Sequence, residues 1–324
     1  MYVFIDYLKS IAALLIANSH FKGIYPNDIF SFGGGFGLSI FYIVSGYLLS
    51  NINKETKFYK WYLKRLLRIY IPLLLFYLVS LLIMHKFSIS YLLKCVIFPG
   101  NWFCNSMIVM YLLYYFFVKY IYNKYGNKSI YILLSILFAI YSMLYIFKPQ
   151  IATFSLEGLK FVDSFTIETP YFITQFGWFS CMLLGLLIRK EDITCNTRFN
   201  LVFILASVIL FFGIKMTIKM NILSFLSYFL VLVYVFFGYS MFVYFKSKEQ
   251  LLNQKCKTVL YKIVKIISSC TIEILYTQFI WINIAKDIVF PLNLLFLVVS
   301  ISISSYILHK ISDFIYKPIA KRLS

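Results

Sequence analysis

The sequence is poor in charge. Asp, Glu, Lys and Arg make up 13% of its 324 residues, about half the share of an ordinary soluble domain. Acidic groups are scarcest, 12 against 31 Lys and Arg, and there are three histidines. The six cysteines, Cys95, Cys104, Cys181, Cys195, Cys256 and Cys270, form no Cys-x-x-Cys pair and no metal-ligand spacing. That composition excludes a disordered chain, a disulfide scaffold and a zinc array. No internal repeat and no low-complexity tract interrupts it. What is present is apolar surface. Hydrophobic residues reach 61% and aromatics 21%, and the mean hydropathy is +0.83. A water-soluble fold of this size has too small an interior to hide that much. The chain is expected to be all-α, a polytopic integral membrane bundle forming one domain over residues 1–324.

A helix needs about 20 apolar residues to cross a bilayer. Ten segments qualify: 2–21, 34–51, 66–85, 102–122, 129–147, 171–188, 200–214, 222–245, 266–285 and 291–309. The first lacks the basic start and the small-residue cleavage site of a signal peptide. With the N-terminus in the cytoplasm, 22 Lys and Arg fall in inward segments and 8 in outward ones, Lys9 lying inside the first span. The bias holds at every loop, so ten spans with both termini cytoplasmic are expected. The same bias explains the net charge of +19 without nucleic acid as a partner. Cys95 and Cys104 fall on one side, where a disulfide is conceivable. The longest outward loop, 148–170, holds Glu157, Asp163 and Glu168 and reads either as a connector or as a cap over an acceptor.

Charge inside a membrane is costly and marks function by default. The first span holds Asp6, Lys9 and His20. Asp6 and Lys9 are three apart and can pair on one helical face. His20 follows Lys9 by eleven residues, about three turns and roughly 16 Å along the axis. A cation near one end is thereby aligned with an imidazole near the other, and imidazole titrates where a general base is useful. His85 and His309 fall at span ends, where an interfacial histidine is ordinary. Arg65 and Arg68 open the third span on one face, either as a membrane anchor or as two forks suited to phosphates. Glycines at 33, 34, 35 and 37 permit close helix approach beside His20. Glu273 lies in the ninth span with Gln278 after it, and the carboxylate wants a partner such as Lys9 or an arginine. The 28 Tyr and 35 Phe read chiefly as lipid-facing belts. Trp102, at an outer helix start, is the best single candidate for stacking on a sugar.

These residues resemble the membrane-bound acyltransferase-3 superfamily, which O-acylates cell-surface carbohydrates. Ile5-Asp6-Tyr7-Leu8-Lys9 through Leu15 resembles its opening LDxLRxxAAL, and Lys9 to His20 its basic-x10-His spacing. Gly37 to Tyr47, including Ser45, resembles GxxLFFxxSGF. Arg65-x-x-Arg68 with Ile69 and Pro72 resembles RxxR, and Trp102-Phe103 with Tyr111 resembles WFLxxLxxxY. The resemblance runs over the whole chain and is densest in 1–120. It implies a multi-pass protein of a bacterial cytoplasmic membrane that takes acetyl-CoA or another acyl-CoA from the cytoplasm, with no metal. Lys9, Arg65 and Arg68 would hold the donor, and His20 would be catalytic. Ser45, Trp102, Tyr111, Glu273 and Gln278 would line the site for a surface glycan or lipid-linked saccharide. Three positions depart from the pattern: Lys9 stands for Arg, Ser39 for a carboxylate, and Gln278 for a His. Gln hydrogen-bonds but carries no proton. The rival readings are a glycolipid or polysaccharide carrier or flippase, and an inactive scaffold relative.

Overall fold

The computed structural model describes residues 2–83, 102–146, 169–193, 197–220 and 226–323, and among them every regular element is helical. The 148–168 part of the long loop and Cys95 lie outside the described residues. The helices are α1 Val3–Ser19, α2 Gly34–Leu48, α3 Phe58–Ile83 and α4 Trp102–Phe116, the last continuing through a π-type turn, Phe117–Tyr122. Then come α5 Asn127–Ile146, α6 Thr169–Lys190, α7 Thr197–Lys219 and α8 Ser227–Ser247. A short helix, Glu249–Gln254, leads to α9 Val259–Ser269, α10 Thr271–Ala285 and α11 Leu292–Arg322. Each of the ten expected segments overlaps one of these helices.

Six stretches of described residues are long and apolar enough to cross a membrane: Asp28–Leu48, Trp102–Tyr125, Asn127–Ile146, Thr197–Ile218, Tyr228–Ser247 and Leu292–Arg322. The bent pair α9–α10 makes a seventh if counted as one span. The expected count of ten exceeds this measure. The first expected span is only 17 residues as a helix and holds Asp6 and Lys9, and α3 opens with Lys60, Lys64, Arg65 and Arg68. Polar residues at such helix ends weaken a hydropathy signal that depends on an unbroken apolar run.

The chain divides into two compact units. The first comprises Met1–Leu8, Gly35–Ile52 and Phe117–Asn253. In it α2 and α6 meet backbone to backbone. A Cβ on Gly46 would strike the Met182 carbonyl, and one on Gly185 the Ile43 carbonyl. Glycine at both crossing points is what lets two helices touch this closely in an apolar solvent. Aromatic rings fill the rest: Tyr42 stacks on Trp178, and Phe36 packs against Phe211, Tyr234 and Phe237. Arg189 lies over the rings of Tyr2 and Tyr47 and donates to the Tyr47 hydroxyl at 2.9 Å. Buried Lys246 donates to Asp192 at 2.6 Å and to the Ile193 carbonyl at 3.1 Å.

The second unit comprises Lys9–Gly34, Asn53–Phe116 and Gln254–Ser324. Here α10 packs along α11, and α3 packs against α4, α10 and α11. Ala13, Ala17, Phe21 and Ile24, from α1 and the turn after it, share a core with Ile274 and Ile282 of α10 and Leu297 and Ile301 of α11. Small residues at 13 and 17 let α1 lie close. Two long-range hydrogen bonds hold this segment: from the middle of α1, Ser10 Oγ donates to the Val264 carbonyl at 2.7 Å, and in the turn after it the Ile24 carbonyl accepts from Asn293 Nδ2 at 2.8 Å.

Candidate functional site

Eight of the nine candidate residues belong to the second unit: Lys9, His20, Arg65, Arg68, Trp102, Tyr111, Glu273 and Gln278. Ser45 belongs to the first. Sequence positions spread over 270 residues are thus carried on α1, α3, α4 and α10 of one compact body.

His20 stands in the turn that ends α1, half-buried, with its ring edge-on to Phe279 of α10 at 5.0 Å between centroids. Gln278, the neighbour of that phenylalanine, is fully buried. Its Nε2 donates to the Leu275 carbonyl at 3.2 Å, while its Oε1 has no hydrogen-bond partner among the described residues. A buried acceptor without a donor is costly, so this oxygen is an unused hydrogen-bonding site next in sequence to the ring that His20 touches.

The basic groups collect on α3. Arg65 lies over the ring of Trp61 at 4.5 Å and donates to its carbonyl at 3.1 Å. Tyr111 of α4 meets the same indole edge-on at 6.3 Å. Arg68 is exposed and lies 5.9 Å from the Tyr316 ring of α11. Arg65 and Arg68 stand three residues apart on α3, a spacing that puts neighbouring side chains on one helical face. Lys9 and Lys310 are within electrostatic range of Cys270 at the start of α10. Trp102, at the opposite end of α4 from its π-type turn, presents an indole 38% exposed.

Glu273 is buried, and His309 meets it: Nδ1 stands 3.0 Å from Oε1. The sequence placed His309 at a span end as an ordinary interfacial group. It lies within the 31-residue α11, with a side chain only 12% exposed and committed to Glu273. Its Nε2 stands 3.7 Å from Asp313, which pairs with Lys317 at 2.8 Å. Exposure rises along this row, from Glu273 through His309 and Asp313 to solvent-facing Lys317. The 309, 313, 317 spacing is a four-residue ladder visible in the sequence. Its buried end on another helix is not. A second polar knot also escaped the sequence: Tyr276 Oη lies 2.9 Å from Cys104 Sγ and 3.4 Å from the Ile69 carbonyl, joining α10 to α4 and α3.

Among the described residues no three His, Cys, Asp or Glu side chains converge as a metal site. The Arg65–Arg68 face has the chemistry for a polyanionic ligand, and His20 supplies an imidazole edge-on to Phe279, the chain neighbour of the buried Gln278 amide. Several helices of membrane-crossing length and apolar composition define an integral membrane protein. The acyltransferase-3 family model, described as an acyltransferase domain, matches residues 2–309. The chain belongs to that family and is a membrane acyltransferase of its kind. Comparisons with curated proteins and with solved structures return no match.

Proposed function

We propose that the protein is an O-acyltransferase that moves an acyl group, most simply acetyl, from cytoplasmic acyl-CoA to a hydroxyl of an extracytoplasmic or lipid-linked surface glycan. In this reading it crosses a bacterial cytoplasmic membrane ten times with both termini inside. The observation that carries it is the gathering of the basic face and His20 in one unit. Lys9 and His20 sit eleven residues apart, spanning roughly 16 Å of helix axis, which is of the order of an extended pantetheine arm. Arg65 and Arg68 hold the donor phosphates, with Lys9 beside the arm. His20 takes the proton of the acceptor hydroxyl as its oxygen attacks the thioester carbonyl. The C–S bond breaks and the thiolate of CoA leaves. The unpaired Oε1 of Gln278 accepts a hydrogen bond from another acceptor hydroxyl, and Trp102 stacks on the sugar face. Tyr111 braces Trp61 and through it Arg65. Glu273, held by His309, belongs to the donor side. Ser45 enters no role here.

The test is transfer from radiolabelled acetyl-CoA to membrane glycan by wild type, His20→Ala and Arg65→Ala at equal expression. Labelling by wild type and its loss in both variants is expected. Wild-type membranes that neither label glycan nor bind CoA would turn the reading toward a glycolipid carrier.

A further inference from the structure

Helix α9 differs from every span around it. Its 11 residues rise about 16 Å, half the thickness of a bilayer core. It breaks from α10 at Cys270 with a bend of 78°, so it does not continue that helix's direction. At about 100° per residue, its side chains sort into three faces. Tyr261 and Ser268 are buried on one, and the Val264 carbonyl on that side receives the Ser10 hydroxyl. Val259, Leu260, Ile263 and Ile266 form a second face, and all four are exposed, Val259 by 72%. Lys262 and Lys265 form the third, with Lys255 and Lys257 just ahead of the helix; all four ammonium side chains are exposed. No acidic residue occurs between Gln254 and Ser269.

An exposed aliphatic row in water is a liability, and a helix within the hydrocarbon would not carry a lysine row. Both faces are satisfied together where acyl chains meet headgroups, the environment of an amphipathic helix lying in the membrane plane. Four basic groups without a counter-charge in the segment select anionic headgroups over neutral ones. We propose that α9 is an interfacial helix that binds anionic phospholipids. Val259, Leu260, Ile263 and Ile266 lie among acyl chains, and Lys255, Lys257, Lys262 and Lys265 hold lipid phosphates. The buried face, through the Val264 carbonyl, ties this contact to α1 at Ser10, the residue after Lys9. The lipid contact stands independently of the acyl-transfer reading.

The test uses the purified full-length protein in detergent, with dioleoylphosphatidylglycerol and dioleoylphosphatidylcholine as probes and native mass spectrometry counting retained lipid. Replacing all four lysines by Gln is expected to weaken phosphatidylglycerol retention about tenfold or more and leave phosphatidylcholine retention unchanged. Replacing them by Arg is expected to restore it. Wild-type retention of phosphatidylglycerol is expected to fall with added salt, which decides the matter if the Gln variant does not fold. Equal retention by wild type and a folded Gln variant, or no salt dependence, overturns the proposal. Displacement of phosphatidylglycerol from these lysines by millimolar inorganic phosphate or CoA also overturns it, because the site would then serve a soluble anion.

Discussion

Single side chains divide the site into parts with separable signatures. Removal of a positioned general base costs about 10²- to 10⁴-fold in rate, so His20→Ala is expected to lower kcat by at least that lower bound with CoA binding intact, read by equilibrium binding of labelled CoA. Arg65 is a planar fork over an indole, and lysine reproduces its charge but neither its fork nor its stacking. Arg65→Lys is therefore expected to raise KM for the donor with kcat little changed. The Glu273–His309 pair is a stability element that can be tested as one. His309→Ala leaves a buried carboxylate without this partner and is expected to cost about 3 kcal/mol, measured by unfolding in detergent. The double variant Glu273→Gln, His309→Leu is expected to recover part of that loss. A double variant as unstable as the single one would show that the pair is not the cause.

At the scale of elements, two junctions follow different physics. The α2–α6 crossing depends on the absence of side chains: with Gly46 facing the Met182 carbonyl and Gly185 facing Ile43, any added carbon meets backbone that cannot move aside. Gly46→Leu is expected to separate the helices and abolish detergent-stable protein, whereas Gly213→Ala, where nothing lies within 4 Å of the added carbon, is expected to be harmless. The end of α6 is fastened electrostatically. Lys246 holds the exposed Asp192 carboxyl below its usual range by hydrogen bonding and by charge. A depressed native pKa contributes stability above the unfolded value, near 3.9, and loses it as pH falls through the native value. Asp192→Asn is expected to lower the unfolding midpoint at pH 7, with the difference from wild type closing below about pH 4.

For the whole molecule, the basic bias of alternate loops makes an orientation prediction. A fluorescent protein fused after Ser324 is expected to be bright in the cytoplasm, and a periplasmic reporter there inactive; the reverse would mean an odd number of crossings. The helices themselves were legible in the sequence, because ten apolar stretches separated by charged turns leave lipid few alternatives. So were Arg65 and Arg68, whose three-residue spacing needs only a helix to share a face. Glu273 was legible as a carboxylate in want of a partner, but the partners expected were Lys9 or an arginine, and the structure supplies His309. That partner lies 36 residues on, and His309 looked ordinary because the side chain it meets follows from where α11 packs. The orphan oxygen of Gln278 was legible only as a departure from the family pattern.

The sequence by itself determined the solvent, the secondary structure and the family, since each depends on composition, on periodicity within one helix, or on short motifs. The tertiary structure decided which helices touch. It brought His20 to Phe279, His309 to Glu273 and Ser10 to Val264, and it put eight of nine candidate residues in one unit. Contacts of that kind depend on packing between segments on different helices, from tens to hundreds of residues apart, where close approach and buried hydrogen bonding select one arrangement. No pattern local to the chain encodes that selection.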